Sequence, residues 1–246
     1  MELAALVFAP GLAIGSFLNV VAARIPLKRS IVSPGSACMS CGTHLRWYDN
    51  VPLVSYALLK GRCRHCGARI PWRYPAVEAA TALLVAGCAL EFGWSWDFLI
   101  ASAFCAVLVT VSATDLERRI IPNRIVVPAS IVLLVAQTIV HPSVEWILAA
   151  VGASGFFLIA ALAYPGGMGM GDVKLAFLLG AVLGRSVVVA LFAGMIFALV
   201  PSVVLLLRHG GTARKMAIPF GPFLALGGVL ALFAGPAILD WYLRVL

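Results

Sequence analysis

Long apolar stretches separated by short polar ones make up most of this chain of 246 residues. A helix of about 20 predominantly apolar residues crosses the hydrocarbon core of a bilayer, and the longer apolar stretches have that length. We therefore predict an all-α polytopic membrane protein with about eight transmembrane helices. The predicted spans are 3–22, 75–92, 97–114, 124–140, 144–164, 173–184, 186–207 and 218–240. The sixth is short, and one kinked helix over 173–207 would give seven spans instead.

Composition excludes several classes of protein. Hydrophobic residues make up 62% of the chain and charged residues 11%, and the mean hydropathy is +1.03. A soluble globular protein is nearer half apolar and about a quarter charged. So few charges exclude a soluble enzyme, a disordered tail and a secreted disulfide scaffold. The formal net charge of +8 indicates orientation in a membrane, and no nucleic-acid partner is expected.

The one long polar stretch, residues 24–73, divides the chain into three predicted parts. These are a first transmembrane helix over 1–23, a cytoplasmic zinc-binding loop over 24–73 and a transmembrane helical bundle over 74–246. Basic residues are concentrated in the loops 24–73, 115–124, 165–174 and 208–215, whereas the opposite side has only Arg185 and Arg244. Because basic loops stay in the cytoplasm, we expect both termini outside. Glu2 and the lack of early basic residues indicate a retained first helix, not a signal peptide.

Four cysteines in the polar loop have the spacing of a metal site. They form two CxxC pairs, Cys38 with Cys41 and Cys63 with Cys66. Gly42 and Gly67 follow the pairs and allow the tight turns that direct both sulfurs to one centre. Four thiolates fit tetrahedral Zn²⁺ in a closed, structural site. Two disulfides or a redox pair are the alternative, which a reducing cytoplasm disfavours, and His44 or His65 could replace one cysteine as a ligand.

Two aspartates at predicted cytoplasmic helix ends are candidate catalytic residues. Asp115 follows a long apolar run, and Asp172 closes the glycine-rich segment 166–171. Ionisable residues near membrane depth are functional candidates because their burial is costly. Two carboxylates in contact share a proton, so that one acts as general base and the other as acid. The residues alone leave open that Asp172 caps its helix and that Asp115 forms an ion pair with Arg118 or Arg119.

Six motifs, in order, resemble those of the type IV prepilin peptidase family, membrane aspartyl proteases with a GxGD signature. The first two are Gly15-Ser16-Phe17-Leu18-Asn19-Val20-Val21 with Arg24-Ile25-Pro26, and the CxxC pairs with Asp49-Asn50-Val51-Pro52 and Gly61-Arg62-Cys63-Arg64. The next two are Arg73-Tyr74-Pro75 through Glu78, and Asp115 with Ile121-Pro122-Asn123. The last two are Gly169-Met170-Gly171-Asp172-Val173-Lys174 and Pro219-Phe220-Gly221-Pro222-Phe223. The resemblance covers most of the chain.

The resemblance implies a protease of the bacterial inner membrane. Its substrates would be type IV prepilins or the related pseudopilins of type II secretion, and it would remove their short polar leader at the cytoplasmic face. The residues that it implies for the catalytic pair and the active-site loop are Asp115, Asp172, Gly169, Gly171 and Lys174. The four cysteines would hold structural zinc.

A second activity is also implied, because many members of the family methylate the new N-terminal amine with S-adenosylmethionine. Glu78 is the candidate residue for that activity, although it could equally be a buried structural carboxylate paired with Arg73. Two other functional classes remain as alternatives. A proton-coupled transporter would relay protons through Asp115 and Asp172, and an inactive scaffold of a secretion machine would not need both aspartates.

Overall fold

The computed structural model describes residues 1–164, 168–210 and 218–245. These residues are predominantly helical and contain no β-strand apart from two isolated bridges. The helices are α1 Glu2–Arg24, α2 Val54–Leu58, α3 Arg73–Phe92, α4 Trp96–Arg118, α5 Asn123–Val140, α6 Glu145–Ala163, α7 Met170–Leu183, α8 Val187–His209 and α9 Gly221–Val245. Gly166 and Gly167 of the glycine-rich segment, and Arg214 and Lys215 of the predicted 208–215 loop, lie outside the described residues.

The predicted fold class, an all-α polytopic membrane protein, is confirmed. Seven helical stretches within the described ranges are long and apolar enough to cross a membrane. Six of them correspond to single long helices, and the seventh, Met170–Arg208, contains both α7 and α8. The number of crossings therefore depends on how this 39-residue stretch is arranged, and eight crossings stays a prediction.

The Met170–Arg208 stretch is interrupted at Gly184, which follows the last residue of α7 and has φ +54° and ψ −135°. A short 3₁₀ helix, Gly184–Ser186, connects α7 to α8. The Glu145 carboxylate, in the first turn of α6, accepts the backbone N–H of Arg185 at 2.8 Å. A Cβ atom at position 184 would lie 2.5 Å from the same carboxylate, so glycine is needed there. Because the break separates two helices, α7 has 14 residues and a length of about 21 Å.

The chain divides into two compact units, Met1–Ala113 and Thr114–Leu246, with the division inside α4. In the first unit α1 packs closely along α3. A Cβ atom on Gly11 would lie 2.8 Å from Ala82 Cα, and one on Gly15 would lie 2.7 Å from Glu78 Cα. Small residues permit such close packing of helices in membranes, and any side chain at either glycine would push the two helices apart.

In the second unit the same kind of contact joins two helix pairs. Gly180 of α7 lies directly on the backbone of Ala149 and Ala150 of α6, and Gly227 of α9 lies on the Ala190 carbonyl of α8. These glycines bring the helix backbones together without intervening side chains. The starts of α7 and α9, which contain the candidate site, are therefore held by tightly packed helices.

Candidate active site

Asp115 lies in the last turn of α4 and is only 6% exposed. Its Oδ2 atom accepts the backbone N–H of Gly221, the first residue of α9, at 2.9 Å. A Cβ atom at position 221 would lie 2.8 Å from that oxygen. Only glycine therefore lets the start of α9 approach the carboxylate closely enough for this hydrogen bond.

Asp172 lies in the first turn of α7, three residues after the N-cap Gly169. Its carboxylate accepts the backbone N–H of Gly169, an arrangement found in capping boxes. The capping interpretation is thus correct for this contact. Asp172 also has a second interaction, which helix capping does not explain. Its carboxyl group is close enough to that of Asp115 for the two to repel each other electrostatically.

Ile121 connects the surroundings of the two aspartates. A Cβ atom on Gly171 would lie 2.8 Å from Ile121 Cβ, and one on Gly221 would lie 3.3 Å from Ile121 Cδ1. The isoleucine side chain therefore lies between the starts of α7 and α9. Nearby, Lys174 Nζ donates to Asn123 Oδ1 at 2.8 Å, which joins the first turn of α7 to the start of α5.

The basic residues after Asp115 do not all interact with it. Arg119, which has φ +55°, attracts the Asp115 carboxylate electrostatically. Arg118 Nη2 lies 3.7 Å from Glu117 Oε1. Two neighbouring carboxyl groups can act as a general acid and a general base when one of them holds a proton.

Two contributors to this geometry were missed at the level of sequence. Gly221 and Ile121 belong to sequence motifs that give neither residue an individual role. The available signal was a glycine between phenylalanine and proline at the start of an apolar helix, which indicates a close backbone approach. Its partner, Asp115, lies 106 residues away and could not be identified from spacing.

The four predicted metal ligands come together in the first unit. The Sγ atoms of Cys38, Cys41, Cys63 and Cys66 all lie within 4.8 Å of one another, and those of Cys38 and Cys66 are 3.8 Å apart. Sulfur atoms about 2.3 Å from a tetrahedral zinc ion are separated by about 3.8 Å. All six cysteines of the chain are free thiols, so the cluster could hold a metal ion. Within the described residues, neither His44 nor His65 belongs to it.

The two CxxC pairs lie in equivalent hairpins. Cys38 N–H donates to Thr43 O at 2.9 Å, and Cys63 N–H donates to Ala68 O at 2.8 Å. The turn glycines are Gly42 and Gly67, with φ of +71° and +69°. These left-handed conformations explain why a glycine follows each pair. Each hairpin thus presents two sulfurs from one tight turn.

Local hydrogen bonds prepare two of the sulfurs for metal binding. The Thr43 side chain, 3.3 Å from Cys41 Sγ, and the Thr43 backbone lower the pKa of the Cys41 thiol to about 6. The backbone N–H groups of Cys66 and His65 lower the pKa of Cys63. Since the thiolate is the form that binds metal, these bonds favour the ligand state.

Glu78 lies apart from the aspartate pair, in the first unit. It is 8% exposed, and its Oε2 atom accepts the backbone N–H of Leu53 at 2.9 Å. The side chain of Ser16 is a second hydrogen-bond partner. The guanidinium of Arg73, the partner expected from the sequence, lies over the Tyr74 ring, 5.0 Å from its centroid.

Two family models match the chain in succession. The Bacterial Peptidase A24 N-terminal domain matches residues 10–92, and the Type IV leader peptidase family matches residues 102–203. The first match contains α3 and the four-cysteine cluster, and the second contains Asp115 and Asp172. No solved structure matches the chain significantly.

Curated relatives are similar along most of the chain, and each of the following three is named prepilin leader peptidase/N-methyltransferase. The relative from Bacillus subtilis (strain 168) is 36% identical over 246 aligned positions, covering 98% of this chain and 98% of the relative. The relative from Myxococcus xanthus is 40% identical over 215 aligned positions, covering 82% of this chain and 63% of the relative. The relative from Pseudomonas aeruginosa is 34% identical over 266 aligned positions, covering 95% of this chain and 91% of the relative.

Proposed function

The chain belongs to the type IV leader peptidase family, and on that premise we propose that Asp115 and Asp172 cut the leader peptide from type IV prepilins or pseudopilins. The observation that supports this proposal is the electrostatic repulsion between the two carboxyl groups, each of which accepts a hydrogen bond from the backbone N–H of a glycine. Family membership also confirms the resemblance inferred from the motifs. It gives no support to a proton-coupled transporter.

In the proposed reaction the two aspartates share one proton. The ionised carboxylate removes a proton from a water molecule as the water oxygen attacks the scissile carbonyl carbon, and the protonated carboxyl donates its proton to the carbonyl oxygen. The C–N bond of the resulting gem-diol intermediate then breaks: the leaving amine takes the proton held by the pair, and one hydroxyl of the intermediate gives its proton back to the pair, which regains its single shared proton as the carboxyl and amine products form. The residues predicted for an active-site loop lie instead at the start of a helix, with Gly169 as the N-cap of α7 and Gly171 and Lys174 within it, and we propose that they position Asp172 from there.

The four-cysteine cluster is proposed to hold Zn²⁺ in a structural role. Zinc bound by four thiolates would supply folding free energy to the 24–73 loop, which has few large buried side chains. The second proposed activity is methylation of the new N-terminal amine with S-adenosylmethionine, as the names of the relatives indicate for those proteins. The two activities would act in sequence on one substrate, because only cleavage creates the amine.

The proposed activity is tested with purified protein in lipid nanodiscs and a full-length prepilin. We expect the leader to be released with and without S-adenosylmethionine, and the mature product to gain the mass of one methyl group only when that cofactor is added. Intact prepilin after incubation with correctly inserted protein would refute the proposed protease.

A change at Gly221 is expected to impair cleavage without removing either aspartate. In Gly221→Ala the new Cβ atom would lie 2.8 Å from Asp115 Oδ2, so the carboxylate or α9 must move. A displacement of about 1 Å in a positioned catalytic group costs roughly a hundredfold in rate. The kcat for leader removal should fall by about that factor. Gly152→Ala is the matched control, since a Cβ atom there meets no atom within 4 Å, and an equal loss in both variants would contradict the proposed role.

The chain is a multi-pass protein of the bacterial inner membrane, and we propose that both termini lie outside and that the 24–73 loop and the aspartates lie on the cytoplasmic side. Ser33→Cys places a thiol on an exposed part of that loop, and Ser143→Cys places one in the exposed connection between α5 and α6. A membrane-impermeant maleimide added to intact cells should label position 143 and leave position 33 unlabelled until the cells are opened. The reverse labelling would overturn the orientation.

A further inference from the structure

The loop between α1 and α3 contains a strained turn at Leu53. This residue has φ +57° and ψ −45°, a left-handed backbone conformation that is unfavourable for a leucine. The Val54 N–H donates to the Pro52 carbonyl at 2.6 Å, so Leu53 is the central residue of a γ-turn of the rare, strained kind. Strain of this type persists only where surrounding contacts hold it, and it is concentrated at sites that matter for function.

The contact that holds this turn comes from Glu78 of α3. Its Oε2 atom accepts the N–H of Leu53, the strained residue itself, at 2.9 Å. From the other side, Ser16 of α1 is a hydrogen-bond partner of the same carboxylate. The carboxylate therefore lies where two helices and the 24–73 loop meet.

The packing around this junction leaves little freedom for the Glu78 backbone. A Cβ atom on Gly15 of α1 would lie 2.7 Å from Glu78 Cα and 3.1 Å from its carbonyl oxygen. One turn away, Asn19 of α1 donates its side-chain amide to the Tyr74 carbonyl of α3 at 3.1 Å. The carboxylate is thus presented to the loop from a rigid pair of helices.

These contacts distinguish two roles for Glu78. An acid or base in methyl transfer must face the amine that reacts. Within the described residues, the hydrogen-bond partners of the Glu78 carboxylate are instead the backbone N–H of Leu53 and the hydroxyl of Ser16. Hydrogen bonds to a charged group are stronger than neutral ones, which suits a carboxylate that must hold a strained turn.

We propose that Glu78 is a positioning residue that holds the strained turn at Leu53 and thereby fastens the four-cysteine loop to α1 and α3. It takes no chemical part in methyl transfer or cleavage. Its effect on either activity is exerted through the placement of the 24–73 loop. The proposal rests on the proposed function for its activity readout only, since the attachment of the loop can be measured directly.

The test compares three substitutions that separate hydrogen bonding from acidity. In Glu78→Gln the amide oxygen can still accept the Leu53 N–H and the amide nitrogen can donate to Ser16 Oγ, but no acid remains. Glu78→Asp keeps the acid and is one methylene too short to reach Leu53. Glu78→Ala removes both. Ser55→Ala is the control, because its hydroxyl bonds only to the Val51 carbonyl within the same turn.

The primary measurement is the rate at which trypsin cuts the 24–73 loop of the full-length, metal-loaded protein in nanodiscs. Loss of a hydrogen bond to a charged group corresponds to about a ten- to hundredfold change in an opening equilibrium. We expect cutting to be faster by that factor in the Asp and Ala variants. In Glu78→Gln, whose neutral oxygen forms a weaker hydrogen bond, it should be faster by no more than about fivefold, and in Ser55→Ala it should stay within about twofold of wild type. Cleavage of prepilin and methylation of pre-cleaved substrate are measured on the same samples.

Three outcomes would overturn the proposal. The first is a Gln variant whose loop is protected but whose methylation or cleavage is lost, because that result assigns chemistry to the acid. The second is an Ala or Asp variant whose loop is as protected as in wild type. The third is a Gln variant cut as fast as the Asp variant. If Glu78→Ala fails to insert into the membrane, the difference in trypsin cutting between the Gln and Asp variants still tests whether Glu78 holds the loop. This measurement does not depend on protease activity, so it remains valid even if the wild-type protein cleaves no prepilin.

Discussion

Asp115→Asn and Asp172→Asn are each expected to reduce leader removal to background while leaving the protein in the membrane. An amide can neither take a proton from water nor supply an acidic one to the carbonyl oxygen. General acid–base catalysis contributes about 10²–10⁴-fold to a rate, and loss of either group should remove at least that factor. Because the two carboxyl groups act as a unit, the double variant should be no slower than either single one. The measurement is the initial rate of prepilin cleavage in nanodiscs.

The matched control for this experiment is Glu117→Gln, two residues after Asp115. Glu117 lies beside Arg118, with 3.7 Å between their nearest charged atoms, and it has no proposed part in the reaction. We expect its cleavage rate to stay within about twofold of wild type. Substantial cleavage by Asp172→Asn would end the aspartyl-protease proposal. A double variant much slower than both single variants would show that the carboxylates contribute independently.

The double variant Cys38→Ser, Cys41→Ser is expected to lose its metal and the folded structure of the 24–73 loop. Structural zinc supplies roughly 10–16 kcal/mol of apparent binding free energy at pH 7 in small zinc domains, and a loop with so small a core has nothing comparable to replace it. Because the two hairpins contribute equally, Cys63→Ser with Cys66→Ser should give the same result. Metal content by elemental analysis and trypsin sensitivity of the loop are the measurements.

His44→Ala is the control for the metal experiment, because the backbone of His44 pairs with Ala37 in the first hairpin but His44 does not belong to the sulfur cluster. It should keep one equivalent of zinc. Prepilin cleavage should fall in the serine variants through the loss of loop structure, whereas the aspartates remain intact. Wild-type cleavage by protein shown to be free of metal would contradict a structural role for the cluster, and stoichiometric disulfides in cells would contradict the metal site itself.

The length of the apolar stretches located the long helices because membrane burial is a local property of the sequence. The predicted span 124–140 differs from α5, Asn123–Val140, by one residue at its start. The predicted spans 173–184 and 186–207 place the break at Arg185, whereas α7 ends at Leu183 and the backbone turns away from the α-helix at Gly184. Its conformation depends on the Glu145 carboxylate of α6, a tertiary contact that no pattern within 173–207 could reveal.

The residues of the candidate site that carry its chemistry could be predicted because their residue type is rare in an apolar chain. Asp115 and Asp172 stand out because carboxylates are scarce near apolar helix ends. The interaction of Asp115 with Gly221 depends on packing between distant helices and was therefore not foreseen. Glu78 shows the same limit, because its partner Leu53 has a backbone conformation that a leucine is not expected to adopt.

The position of the two cysteine hairpins between α1 and α3 affects the order of events while the protein is being synthesised. Cys66 is the last ligand, and it precedes the start of α3 at Arg73. The complete ligand set therefore emerges from the ribosome before the second span does. With the proposed zinc site, metal would be captured while α1 alone is inserted, so that the loop is already compact when α3 arrives to pair with α1. Chains made in a cell starved of zinc would instead expose an open, protease-sensitive loop between α1 and α3.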